Sequence, residues 1–155
     1  MGAFIAVTER QWYCNQKENK QQRLVFWRKN KNFKAIIRGE HFYFYVKAHD
    51  KLRKIYGVAL FEKFEKLTLD QVWSLYGKQI GFNTYNDFRE CVCKLYGKHE
   101  NMELGCIILT KPIWVDEGIR LECVNIDYSY GTVSGKTIDE DEDKRLFMAI
   151  IGGQI

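Results

Sequence analysis

The sequence has a single proline, few histidines and no long hydrophobic run. Its longest uninterrupted apolar stretch, Leu146 to Ile151, is far shorter than the roughly 20 residues that a membrane-spanning helix needs, so we expect no membrane span. The first residues lack the charged region of a secretory signal, which favours a cytoplasmic protein. No glycine- or serine-rich linker interrupts the 155 residues, so we expect one domain over 1–155.

The five cysteines are odd in number and scattered, which indicates a reduced compartment rather than a disulfide framework. Cys91 and Cys93 are separated by one residue where zinc sites typically use roughly two to four, and the histidines form no closely spaced pair. We therefore expect no metal and no cofactor. The sequence also lacks a nucleophile motif and a paired-carboxylate motif, so we predict no catalytic residue.

Positive charge is concentrated in one third of the chain. The segment from Arg10 to Lys54 contains 13 lysines and arginines and three acids, a local charge of +10, so the net charge of +4 leaves −6 for the rest. Aromatic residues lie between these cations, as a face that binds a polyanion requires. The alternative is an ordinary solvated surface, and the acidic run from Asp139 to Asp143 is typical of a solvated loop or helix start.

Hydrophobic periodicity predicts an α+β fold in which strands dominate. The predicted strands are Ala3 to Thr8, Leu24 to Trp27, Phe33 to Ile37, His41 to Lys47, Lys54 to Glu65, Leu104 to Leu109 with Ile113 to Val115 after a proline-marked bulge or edge, and Arg120 to Ile126. Two consecutive helices at about 68–96 follow the fifth strand, each with one apolar stripe. The further predictions are a capping box at Thr68 and Gln71, glycine stops at Gly77 and Gly97, a short helix after a second capping box at Thr8 and Gln11, a loop over Asn15 to Gln22 and a helix over Lys144 to Ile151.

Two short motifs have both a structural and a functional interpretation. In the strand His41 to Lys47, Phe42 and Phe44 share one side and Tyr43 and Tyr45 the other, so one side is core and the other either packs or forms a pocket for a planar base. Gly135-Lys136-Thr137 lacks the spacing of a phosphate-binding loop, which predicts a surface turn; contact with a nucleic-acid phosphate is the alternative.

Several stretches together resemble a bacterial family. They are Phe4 to Thr8 with Trp12, Val25 to Trp27, Arg38 to Glu40 before the aromatic strand that ends at Lys47, Gly57 to Phe61, Trp73 with Tyr76 and Gly77, Leu104 to Leu109, and Gly135 to Thr137 with Asp139. Their order is similar to that in the PUA-like, SRA-like domain upstream of HNH nuclease modules in McrA-like, modification-dependent (type IV) restriction endonucleases. The chain departs from those relatives at Ser134 and Ile138, where they often carry Gln and Tyr.

The resemblance implies a curved, partly closed β-barrel of the PUA-like (SRA- or EVE-like) type with flanking helices, which binds duplex DNA and reads a modified base for restriction of modified foreign DNA. The pocket residues that it implies are Phe26, Trp27, Tyr43 and Tyr45. Backbone contacts are expected from Arg28, Lys29, Lys31, Lys47, Lys136 and Thr137. The chain contains no HNH motif, so we expect cleavage to come from a nuclease partner or a region outside this sequence.

Three alternatives remain open at this point. PUA-like domains also serve in RNA recognition, so RNA is the second candidate ligand. A small hydrolase or nuclease would act through a cysteine or through His41 or His49. A protein-interaction domain would use the acidic run from Asp139 to Asp143 to dock a basic partner.

Overall fold

The computed structural model describes residues 2–47, 52–97, 102–128 and 135–152. Within these residues the fold is α+β, with six strands in one mixed sheet and four α helices. The strands are β1 (Ala3–Thr8), β2 (Arg23–Arg28), β3 (His41–Lys47), β4 (Arg53–Thr68), β5 (Glu103–Ile119) and β6 (Gly135–Ile138). The α helices are α1 (Arg10–Asn19), α2 (Leu69–Tyr76), α3 (Tyr85–Tyr96) and α4 (Glu140–Gly152), and there are two short 3-10 helices, Gly77–Ile80 and Leu121–Val124. No described helix is long and apolar enough to cross a membrane.

The strand order is β2-β5-β4-β3-β1-β6. All neighbouring strands are antiparallel except β1 and β3, which run parallel. The long strands β4 and β5 form the centre of the sheet, and their pairing contains several register shifts. Such shifts bend the strands and increase their twist.

Apolar residues cover both faces of this sheet. On one face, Trp12 and Tyr13 of α1 and the buried Phe33 pack on Phe42 and Phe44. The other face carries two clusters: Tyr43 packs with residues of α4 and of the 3-10 helix Leu121–Val124, and α2 and α3 pack over the β2 end of the sheet. The predicted alternation along β3 is therefore confirmed: Phe42 and Phe44 are buried on one side, and Tyr43 is buried on the other, where Tyr45 is half-buried.

Pro112 lies inside β5, at a register irregularity. Val58 pairs with Ile113 and Leu60 with Thr110, so the two residues Lys111 and Pro112 face a single residue of β4. Lys111 adopts a φ of 52°, which moves the extra residue out of the ladder. Because proline has no N–H to give to a ladder, a bulge is where a strand accommodates it, and the bulge prediction is confirmed.

The helix pair begins and ends where its capping signals predict. Thr68 accepts a hydrogen bond from the Gln71 N–H, and the Gln71 side chain accepts from the Thr68 N–H, so the capping box is present. Gly77 ends α2, Thr84 caps α3, and Gly97 follows it. These reciprocal bonds satisfy N–H groups that a helix leaves without partners at its start.

Several predictions of local structure are wrong. Residues 33–37 form no strand, because Phe33 and Ile36 bury their side chains in the core from a loop, and the helix pair therefore follows the fourth strand instead of the fifth. Segment 120–126 forms the 3-10 helix Leu121–Val124 instead of a strand. Thr8 gives its hydroxyl hydrogen to the Ala6 carbonyl, so no capping box forms with Gln11, and α1 continues to Asn19 through part of the predicted loop.

The acidic run and the Gly-Lys-Thr motif both lie in regular structure. Asp139 and Glu142 accept hydrogen bonds from each other's backbone N–H groups at the start of α4, which is longer than predicted. Carboxylates in a first turn favour a helix because its N-terminal end carries partial positive charge. Gly135, Lys136 and Thr137 form the edge strand β6, paired with β1, instead of the predicted surface turn.

Candidate nucleic-acid interface

A cavity of about 530 Å³ lies where the β3–β4 hairpin and the chain after β5 meet. This basic cleft is lined by Tyr45, Lys47, Leu52, Arg53, Arg120, Leu121, Glu122, Ile126, Asp127 and Tyr128. The first four come from the hairpin, and the rest from segment 120–128. Ligand sites in proteins usually measure roughly 300–1,000 Å³, so the cleft has room for a nucleotide.

Two tyrosines form the aromatic part of the cleft. The ring centroids of Tyr45 and Tyr128 are 4.7 Å apart, with their planes at 47°. Leu121 and Ile126 lie buried beside them in the core. Burial raises the pKa of Tyr128, while the nearby Arg53 opposes the rise. Among the residues that the structure describes, the Tyr128 hydroxyl is buried and has no hydrogen-bond partner.

The cations of the cleft are arranged by the strand register. Lys47 and Arg53 pair directly across the β3–β4 hairpin. Like charges at opposite positions of an antiparallel pair repel each other, and a bound anion relieves that repulsion. Arg120 Nε lies 2.5 Å from a carboxylate oxygen of Glu122, but both side chains are at least half exposed, so the pair contributes little stability and is easily exchanged for another anion.

Lys136 of the edge strand β6 lies at the rim of the cleft. Its Nζ donates a hydrogen bond of 2.5 Å to the carbonyl oxygen of Asp127. The side chain therefore lies beside the cleft and carries a fourth positive charge close to it. Thr137, the next residue, is exposed on the same strand.

Searches with protein-family models and among curated proteins found no match for the sequence. Among solved structures, the ASCH protein of Zymomonas mobilis matches with a TM-score of 0.64 and 16% identity, over 95% of this chain and 94% of that one. A tyrosine-to-phenylalanine mutant of the same protein matches with a TM-score of 0.63 and 14% identity, over 96% of this chain and 98% of that one. A serine-to-alanine mutant gives 0.64 and 13%, over 96% of each chain.

The fold is similar to that of the Zymomonas mobilis ASCH protein. At this level of identity the likeness shows the fold alone, and it confirms the α+β part of the predicted fold class. It carries nothing specific to McrA-like or SRA-like domains.

The ASCH fold brings only part of the sequence-predicted site together. Tyr45 and Lys47 line the basic cleft and Lys136 lies at its rim. Tyr43 is fully buried, and its hydroxyl donates to Asp143 Oδ1 at 2.5 Å. Burial, followed by the hydrogen bond and charge of Asp143, raises the pKa of Tyr43, so this phenol stays protonated.

The remaining predicted residues lie elsewhere in the sheet. Phe26 packs on Trp12 and Phe42, and Trp27 contacts Phe88 of α3. The other predicted cations lie at the opposite end of β5 from the cleft: Arg28 is the last residue of β2, and Lys29 and Lys31 follow it. Arg28 pairs with Gly105, whereas Ile55 beside the cleft pairs with Ile119. The Arg28 guanidinium lies over the Phe33 ring at 5.1 Å, and burial lowers its pKa.

Sequence reasoning missed Arg53, Arg120 and Tyr128 as cleft residues. Arg53 was inside the basic third of the chain but carried no signal of its own. Arg120 and Tyr128 are far along the sequence: Arg120 begins a segment predicted to be a strand, and Tyr128 lies two residues after that segment. Only the pairing of β5 with β4 places that segment against the hairpin.

A second cavity of about 530 Å³ lies on the opposite face of the hairpin. It is lined by Arg10, Tyr13, Cys14, Lys17, Glu18, Tyr56 and Asp116. Its two cations are balanced by two acids, and Lys17 Nζ lies 3.0 Å from Asp116 Oδ1. A neutral set of this kind does not favour a polyanion. The basic cleft has three cations and the nearby Lys136 against two acids, Glu122 and Asp127, so it is the better nucleic-acid candidate.

Two groups that could support catalysis, Cys106 and His41, are buried or hydrogen-bonded. Cys106 is fully buried, and burial raises its pKa to about 12, which keeps the thiol protonated. His41 Nδ1 lies 2.8 Å from Asp143 Oδ1, and its ring stacks on Phe147 with centroids 4.2 Å apart. His49 lies outside the described residues, within which no cluster of three potential ligands could hold a metal ion.

Proposed function

We propose that the protein binds RNA and holds an unpaired stretch of the strand in the basic cleft. The observation that carries this proposal is the pair of opposed cations, Lys47 and Arg53, beside the tyrosine pair Tyr45 and Tyr128. Unpaired RNA is recognised by stacking its bases on aromatic rings, while lysine and arginine neutralise its phosphates. The PUA-like fold supports the same assignment, because PUA-like domains serve in RNA recognition.

The competing proposal is that the domain reads a modified base in duplex DNA within a curved, partly closed barrel. That function needs Phe26, Trp27, Tyr43 and Tyr45 around one pocket. Only Tyr45 lines the cleft, and the other three pack against the core or inside it. The placement of these aromatics therefore favours RNA over a flipped DNA base.

We further propose that the domain acts by binding alone, and that any cleavage comes from a nuclease partner. The buried thiol of Cys106 and the engagement of His41 with Asp143 support this view. No cofactor is part of the proposal, and we expect a cytoplasmic location.

Fluorescence anisotropy with labelled oligonucleotides tests the ligand and the surface together. The probes are single-stranded RNA, DNA of the same sequence, and duplex DNA with cytosine or with 5-methylcytosine. We expect RNA to bind most tightly and the double variant Lys47→Ala/Arg53→Ala to weaken RNA binding by about tenfold or more, since both cations face the strand.

The double variant Lys29→Ala/Lys31→Ala is the matched control. It removes the same charge from exposed positions at the far end of β5. An equal loss in both double variants would show that the cleft is not the binding site. Tighter binding to the 5-methylcytosine duplex than to RNA would favour the DNA reader, and RNA cleavage that His41→Ala abolishes would favour a nuclease.

A further inference from the structure

One wall of the basic cleft is a short irregular segment, residues 121–128. It consists of the 3-10 helix Leu121–Val124, a left-handed turn at Asn125 with a φ of 56°, and the residues up to Tyr128. The backbone bond from Ile126 N–H to the Leu121 carbonyl, 3.0 Å long, closes the turn. A single turn of 3-10 helix has few internal bonds, so contacts from outside are needed to fix this wall.

Arg145 of α4 supplies such contacts. Its Nε donates to the Val124 carbonyl at 2.9 Å and its Nη2 to the Asn125 carbonyl at 3.2 Å. Carbonyl groups at the end of a helix lack partners within the helix. The planar guanidinium, with donors in a fixed fork, satisfies two of them at once, which an ammonium group cannot do in the same geometry.

Helix α4, which carries Arg145, is itself fixed to the sheet. Asp143, two residues before Arg145, accepts from Tyr43 at 2.5 Å and lies 2.8 Å from His41 Nδ1, so it ties the helix to β3. Leu146 and Ile150 are fully buried in the core cluster that also contains Leu121 and Ile126. Arg145, whose side chain is exposed, therefore adds two hydrogen bonds between this helix and a wall that Leu121 and Ile126 anchor in the core.

We infer that Arg145 is a positioning residue for RNA binding: it does not line the cleft, but it holds segment 121–128 so that Arg120 and Tyr128 face the ligand. This inference rests on the proposed function of the basic cleft. Helix α4 thus affects the affinity for RNA although none of its residues lines the cleft.

The first test compares three variants of the full chain in the RNA-binding assay. Arg145→Ala should lower RNA affinity by about fivefold or more, the usual size of a coupling between sites. Arg145→Lys should lose most of the same affinity although it keeps the charge, because the fork geometry is lost. Lys144→Ala, at an exposed position next to it, removes one positive charge from the same helix and should change affinity by less than about twofold.

A double-mutant cycle separates positioning from long-range charge. If Arg145 acts by holding Arg120 in place, the loss caused by Arg145→Ala should shrink in an Arg120→Ala background. If instead the two losses add and Lys144→Ala weakens binding as much as Arg145→Ala, the charge alone matters and the inference is wrong.

Amide hydrogen exchange keeps this inference distinguishable from the proposed function. Arg145→Ala should speed exchange at Cys123, Asn125 and Ile126, whose N–H groups donate to carbonyls of residues 120–122, and leave exchange in β1 and β3 unchanged. If exchange becomes faster but the protein binds no RNA, Arg145 does fix segment 121–128, and the proposed ligand is wrong. Unchanged exchange at those three amides would mean that Arg145 does not fix segment 121–128, whether or not RNA binds.

Discussion

At the scale of single residues, Asp143 shows how a carboxylate from an acidic run becomes part of the interior. Burial by itself would raise the pKa of Asp143, but hydrogen bonds from His41 and Tyr43 outweigh it and hold the pKa below its usual range. A lowered pKa in the folded state means that the charged form stabilises the fold. That stabilisation is present above the pKa of the unfolded chain, about 3.9, and is lost as the pH falls through the folded-state value.

We therefore expect Asp143→Asn to lower the free energy of unfolding at neutral pH by about 1.5–3 kcal/mol, the range for a hydrogen bond to a charged group. The deficit relative to the unmodified protein should begin to shrink below about pH 4, where the unfolded chain takes up a proton, and should disappear below the folded-state pKa, where the native carboxylate is protonated as well. Urea unfolding at several pH values measures it. Asp141→Asn, an exposed position on the same helix turn, is the control, and an identical pH profile for both variants would contradict the assigned network.

At the scale of elements, the sequence predicts correctly the structures that neighbouring residues determine, and it fails where contacts between distant residues determine them. The alternation of β3 and the stops of α2 and α3 depend on neighbouring residues, and these predictions are confirmed. Segment 120–126 has the composition of a strand, yet it forms a 3-10 helix because Leu121 and Ile126 pack under Tyr43 and α4. Such contacts join residues far apart in sequence, so periodicity does not reveal them.

The two capping-box patterns test this point with matched substitutions. Gln71 accepts from the Thr68 N–H, whereas Gln11 has the same spacing from Thr8 but donates to Asn15 on the helix surface. Both glutamines are exposed. We expect Gln71→Ala to cost about 0.5–1.5 kcal/mol of stability, the net contribution of the one hydrogen bond that it removes, and Gln11→Ala less than about 0.5 kcal/mol. Thermal unfolding of both variants measures this, and equal costs would mean that the bond from the Thr68 N–H to the Gln71 side chain contributes nothing.

At the scale of the whole molecule, the charge pattern predicted a polyanion surface but not its place. The basic third of the chain divides between two ends of the sheet: Lys47 and Arg53 lie at the cleft, and Lys29 and Lys31 lie beyond β2. Arg120 joins the cleft from outside that third. A linear count of charge cannot show this division, because the fold of β4 onto β5 decides which cations share a surface.

The salt dependence of RNA binding tests how many of these cations take part. If the three cleft cations and Lys136 each neutralise one phosphate of a single strand, the logarithm of affinity should fall with the logarithm of salt concentration with a slope between about −2 and −3. All 13 cations between Arg10 and Lys54 acting together would give a slope of about −9. Lys47→Ala/Arg53→Ala should reduce the slope by about 1.4, and Lys29→Ala/Lys31→Ala should leave it unchanged. A slope near the larger value, reduced by both double variants alike, would mean that RNA contacts the whole basic third and that the cleft is only one part of a longer path.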